Sequence, residues 1–245
     1  VVLFWAARRH NGYAGLHGLA SKTRVVRTLA TAKTKRPHLI LDDSSAGDPG
    51  EGAEAIGPYH VIESLGTSNT GRWFLAYDTK LLRQVWVHSA TPGTPAVPPI
   101  QRNLNRQGRL RWITGRRSED ENWDAYEAPG GKALSALAGT PQSWAAVRFW
   151  LLDLAGEFKA AQTDGSTPAI LSFDRVWITA DGHAKLLDFP APNADVESTT
   201  HEDPAAFLRA IGDCTRQTKP PLPGHARALL SPDGPQDCAE ILKIL

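Results

Sequence analysis

Apolar and polar residues alternate with a period near two over three successive runs: YHVIESLG (59–66), RWFLAYD (72–78) and QVWVHS (84–89). This pattern predicts three strands of a meander, with GTSNTG (66–71) as the first connection. Two further runs, RLRWIT (109–114) and NWDAYE (122–127), predict two more strands joined by the polar RRSEDE (116–121). Residues 90–99 hold four prolines, so only 100–107 leave room for a helix between the two groups of strands. The period then changes. Trp144, Val147, Trp150, Leu151, Leu154 and Phe158 recur every three or four residues, which predicts one helix with a broad apolar face. Thr140 is its expected N-cap and Pro141 its first helical residue. Beyond it, Val176-Trp177-Ile178-Thr179 and Ala184-Lys185-Leu186-Leu187 flank Asp181-Gly182, a two-residue hairpin signal. Helices are expected from Asp203 through Ile211, over 223–230 and over 235–245.

Residues 28–56 interrupt the periodicity. DDSSAGDPGEGAEA (42–55) is too polar to bury the apolar area that offsets ordering, and reads as a flexible acidic linker. At 245 residues, 41% hydrophobic and 22% charged, the chain suits one globular domain of two lobes with extensions. The net charge of +1 implies no attraction to nucleic acid. Its distribution is uneven: residues 1–41 carry eight Lys or Arg and no Asp or Glu. Cys214 and Cys238 make neither a disulfide framework nor a metal site. The chain contains no Met, which implies a piece of a longer protein.

The start VVLFWAA followed by Arg8-Arg9 is shaped like the end of a membrane span with a basic cytoplasmic flank. Gly15-Leu16-His17 and Thr23-Arg24-Val25-Val26 resemble the segment that closes the RDD family of small membrane domains. Gly18 stands where that family has Asp, and Lys22 where it has Gly. His17 reads as a surface or packed histidine. The resemblance implies a membrane domain upstream, with the remainder facing the cytoplasm.

Residues 57–245 resemble the eukaryotic-type protein kinase fold. The features that carry this are the meander with a glycine loop (Gly66, Ser68, Gly71), the hinge-like EAPGGKAL beginning at Glu127, the long helix, and the hairpin ending in Leu187-Asp188-Phe189. The implied fold is α+β and two-lobed. Its small lobe and hinge (57–131) contain an antiparallel five-stranded sheet, and its large lobe (132–245) is mainly helical and shortened. Residues 1–41 form the membrane end and basic juxtamembrane region, and 42–56 the linker.

The resemblance also shows what this sequence lacks. Kinase chemistry uses a strand-three Lys, a helix Glu, a catalytic-loop Asp, and an Asn and an Asp for magnesium. His88 stands at the Lys position, and mostly neutral imidazole is a poor phosphate clamp. No carboxylate occurs from Thr79 to Ser118. Ile170 stands at the catalytic Asp and cannot accept a proton. Arg175 stands at the magnesium-binding Asn, so Asp188 remains but without its partner. Asp174 is the single carboxylate between Asp164 and Asp181, and cannot fill more than one of the missing roles. Trp73 and Trp86 replace small residues that would contact adenine, and are expected to fill its slot. Arg175 is expected to form an ion pair with Asp188 in place of magnesium.

Two readings follow. The first is a catalytically inactive pseudokinase domain of a membrane-anchored protein, regulatory or scaffolding in signalling, with a protein partner, no metal and no cofactor. The second is an ATP- and magnesium-binding serine/threonine kinase-like enzyme with a rearranged site, in which His88, Asp174 and His183 take new roles. His183 reads as a solvent-exposed residue by the hairpin turn.

Overall fold

The computed structural model describes residues 35–39, 52–194, 199–215, 221–231 and 234–245. The expected membrane end, the RDD-like segment with His17, and most of the linker lie outside the described residues. Among the described residues no helix is long and apolar enough to cross a membrane.

The meander forms as its alternation requires: β2 (Tyr59–Ser68), β3 (Gly71–Asp78) and β4 (Arg83–Ala90) pair antiparallel in sequence. The sheet has six strands rather than the expected five. Ala55–Ile56, placed in the linker from sequence, adds β1 against His60 and Tyr59. The order is β1-β2-β3-β4-β6-β5, with β5 at Trp112–Arg117 and β6 at Asn122–Glu127. The expected strand over 109–114 is therefore displaced. Its first residues leave this sheet to meet the hairpin described below, and Trp112 is the first to pair with β6. The two faces of the sheet bury different sets. Val85 and Val87 lie with Tyr59, Ala76, Trp123 and Ala125 on one face, and Trp86 lies with Trp73, Leu75 and Tyr126 on the other.

Between β4 and β5 stands a single helical turn, α1 (Pro99–Arg102), with no buried residue. The proline-rich sequence leaves no more than that. The helical part is built on α3 (Trp144–Asp164), which follows the short β7 (Gly131–Ala133) and α2 (Leu134–Ala138). Helix α3 starts later than expected. Ser143, not Thr140, is the N-cap and accepts from the Ala146 amide, while Thr140 and Pro141 remain in the preceding loop. Its face of Val147, Trp150, Leu151, Leu154 and Phe158 is fully buried. It packs on β8 (Val176–Thr179), β9 (Ala184–Leu186) and α4 (Pro204–Asp213) through Ile178, Leu186, Phe207 and Ile211. Helices α5 (Gly224–Leu229) and α6 (Cys238–Ile244) complete this core with Leu229 and Ile241. Both cysteines are free.

The hairpin β8–β9 forms, but its turn is longer than the two residues expected: the Thr179 amide donates to the His183 carbonyl, and the His183 amide to Thr179 Oγ1. Gly182 holds φ +82° there, and a Cβ would sit 2.2 Å from the Pro37 carbonyl. Residues 36–39 are strapped across this turn. The Leu39 amide donates to Ala180 O at 2.9 Å, and Arg36 makes a two-nitrogen contact with Asp153 at 2.7 and 3.0 Å.

Candidate functional site

The candidate site lies where the inner face of the six-stranded sheet meets β8, β9 and the residues after β9. Its outer half is aromatic. Trp73 is 5% exposed and stacks on Phe189 with ring centres 4.3 Å apart, and on His88 at 4.5 Å. Strand alternation explains the second contact, because Trp73 and His88 are register partners on adjacent strands. Tyr126 meets Phe189 edge-on at 4.9 Å. Trp86 stands edge-on to Trp177 at 4.8 Å, and the Trp177 indole N–H donates to the Pro129 carbonyl at 3.0 Å. Pro129 itself has no N–H to offer a ligand. His88 is buried, its Nε2 3.2 Å from Thr70 Oγ1, and burial holds its pKa below the usual histidine value.

The inner half is ionic. Leu110 N donates to Leu186 O and Leu186 N to Gly108 O, so residues 108–110 lie alongside β9. Gly108 permits this course: a Cβ there would stand 2.9 Å from that of Glu157 on α3. Arg109, bridged to Leu186, then reaches Asp188 two residues further on. Its Nη2 donates to the Asp188 carboxylate and to the Ser166 carbonyl, and its Nη1 lies 3.6 Å from Glu157. Glu157 is held more tightly by Arg106 at 2.8 Å, and Arg106 also bonds Asp164 at 2.6 Å. Arg109 and the Glu157 side chain are each 1% exposed. Burial raises the carboxyl pKa of Glu157 and of Asp188 by more than the neighbouring arginines lower it.

The mouth between the halves is crossed by residues 190–194. Ala191 N donates to Asp174 O at 2.7 Å, and Asn193 N to Leu65 O at 3.1 Å. What remains under the glycine-containing turn is a cavity of about 230 Å³, lined by Leu65, Gly66, Ser68, Trp73 and this segment.

An antiparallel sheet followed by a mainly helical part, as here, has solved counterparts. A crystal structure of the Mycobacterium tuberculosis PknI kinase domain superposes with a TM-score of 0.52 at 17% identity, covering 78% of this chain and 95% of that one. A second structure of that domain gives 0.50 at 16% identity, over 78% and 96%. A double mutant of it gives 0.52 at 17%, over 78% and 96%. The fold is kinase-like. No family model matches the sequence, and no curated protein does.

Within the kinase-like frame, the sequence-derived positions scatter. Trp73 and His88 come together with Phe189, while Gly66 and Ser68 line the small cavity beside them and Gly71 lies at the start of β3. Trp86 lies deeper, against Trp177. Glu127 is occupied by Lys185 at 2.8 Å. Ile170 is 41% exposed. The expected Arg175–Asp188 ion pair is not formed: Arg175 Nη1 donates to the Asp188 backbone carbonyl at 2.5 Å, and the carboxylate belongs to Arg109. Asp174 is 4% exposed, with Oδ1 lacking a hydrogen-bond partner. His183 is not solvent-exposed as expected, but half-buried with Nδ1 3.1 Å from Asp153. Sequence patterning does not single out Arg109, Arg106, Glu157 or Trp177 as site residues; the signal for the arginines is the carboxylate-free stretch from 79 to 118, whose cations have no acidic partner close in sequence.

Proposed function

We propose that this chain is the catalytically silent, kinase-like part of a membrane-anchored protein, and that it works by binding a protein partner. One observation carries the reading: the Asp188 carboxylate is engaged by a buried guanidinium, itself backed by Glu157. A divalent ion needs several oxygen donors. Here a fixed cation already neutralises the Asp188 carboxylate, and Arg175 adds a second positive charge beside it. Among the described residues no three His, Cys, Asp or Glu converge to hold a metal. These residues do not fit magnesium, so no phosphoryl-transfer step is derived through it.

The aromatic half supports the same reading. The Trp73–Phe189 stack and the strap over 190–194 leave a space below the roughly 300 Å³ at which small-molecule pockets begin. His88 is neutral and turned to Thr70, not a cation aimed at phosphate. A kinase-like body without a working cleft still offers a rigid two-lobed surface, which suits a regulatory or scaffolding role.

The test is a thermal-shift titration of the 245-residue chain with ATP, with and without magnesium. A ligand at 100 times its Kd would stabilise by about 2.7 kcal/mol, or roughly 5–10 °C for a domain this size. No shift is expected. A magnesium-dependent rise that disappears in Asp188→Ala would replace this reading with the enzyme one.

A further inference from the structure

The turn between β3 and β4 presents two adjacent leucines to solvent, Leu81 at 61% and Leu82 at 73% exposure. Their exposure is built in. Asp78, 6% exposed, turns its carboxylate inward, and Oδ1 accepts from the amides of Lys80 and Leu81. Leu82 is held at φ +49°, a conformation leucine rarely adopts. A turn that needed only to reverse the chain would have Gly or Asn here. Lys80 and Arg83 flank the pair, and no carboxylate follows until Glu119.

We infer that this hairpin tip inserts into an anionic lipid surface, with Leu81 and Leu82 entering the headgroup boundary and the exposed Lys80 facing the phosphates. Shape and size favour lipid over protein. A protein interface takes about 800 Å² per partner, whereas two leucines on a protruding turn form a wedge, not a flat patch. Basic flanks match the negative charge of a cytoplasmic leaflet.

Connectivity adds an independent argument. Val85 in β4 is the register partner of Glu127, the last residue of β6, so the tip extends from the same end of the sheet as the exit toward β7. At that exit, Gly130 O accepts from Ala180 N, and Ala180 O accepts from Leu39 N. Leu39 thus joins the fold beside this exit.

The inference extends the membrane attachment proposed above, and the experiment separates the two. The 245-residue chain carries a polarity-sensitive dye at Thr79→Cys, with Cys214→Ser and Cys238→Ala so that no other thiol is labelled. It is mixed with phosphatidylcholine vesicles containing 30% phosphatidylserine and a spin-labelled lipid. Insertion gives a blue-shifted dye quenched by a label at the headgroup boundary. Leu81→Asp with Leu82→Asp should abolish quenching and lower partitioning about tenfold, with the thermal melting curve retained. Partitioning with an unquenched, unshifted dye would leave the proposed anchoring intact and overturn insertion of the tip. A dye shift that follows protein concentration without lipid would also overturn it, in favour of tip-to-tip association.

Discussion

The two halves of the cleft are closed by different physics. The half under the sheet is filled by area: Trp73, Phe189, Tyr126 and Trp86 occupy it through ring contacts that need no charge. The half beside α3 is filled by charge: Arg109 sits between Glu157 and Asp188. Apolar closure is nearly indifferent to salt, whereas ionic closure is screened by it and is costly to leave half-complete. A cleft closed in both ways cannot be reopened by one substitution.

The largest effect is expected at the aromatic half. Trp73→Ala removes an indole packed on both sides and should cost about 4 kcal/mol, read as a lower urea midpoint. Arg109→Ala should cost about 3 kcal/mol. That is below a fully buried loss, because Glu157 keeps Arg106 and the Asp188 side chain is 28% exposed. Arg109→Lys should recover only part of it, since an ammonium cannot span both carboxylates as a fork does.

The halves should also answer pH with opposite signs. Glu157 and Asp188 have folded pKa values raised above their unfolded ones, so the folded state binds protons more readily. Their contribution is full below the unfolded carboxylate range and is lost as pH rises through the folded values. His88 has a lowered folded pKa, so its contribution is full above the unfolded value near 6.5 and is lost as pH falls below it. Urea midpoints across the pH range should show Glu157→Gln gaining on wild type as pH rises through the carboxylate window. His88→Phe, which keeps a stacked ring, should gain as pH falls below about 6.5. Matching pH slopes in the two variants would erase the distinction between the halves.

The smallest effect lies outside both. Arg36→Ala should cost about 1 kcal/mol, the worth of a partly exposed pair with a ring beneath it. Amide exchange at Leu39 should rise while the cleft amides, such as Asn193, hold.

The period-two and period-three-to-four patterns made the meander, α3 and the β8–β9 hairpin legible, because each is fixed by residues close in sequence. Arg109 was not. It was read as the start of a strand, and it meets Asp188 only because 108–110 cross to β9, a contact 79 residues long in sequence. The family position points instead to Arg175, whose guanidinium reaches the backbone and not the carboxylate. Ala55–Ile56 escaped notice since two residues carry no period. The late start of α3 reflects Ser143 outcompeting Thr140 for the cap, with Thr140 bonded back to Leu137 O instead.

The strap over Gly182 gives the chain a mechanical route. Because no side chain could stand between that glycine and Pro37, the upstream segment and the hairpin turn are seated directly on each other. Tension applied at Arg36 would be shared between Asp153 of α3 and the Gly182 carbonyl, and strand β9 leads from that turn to the aspartate that Arg109 holds.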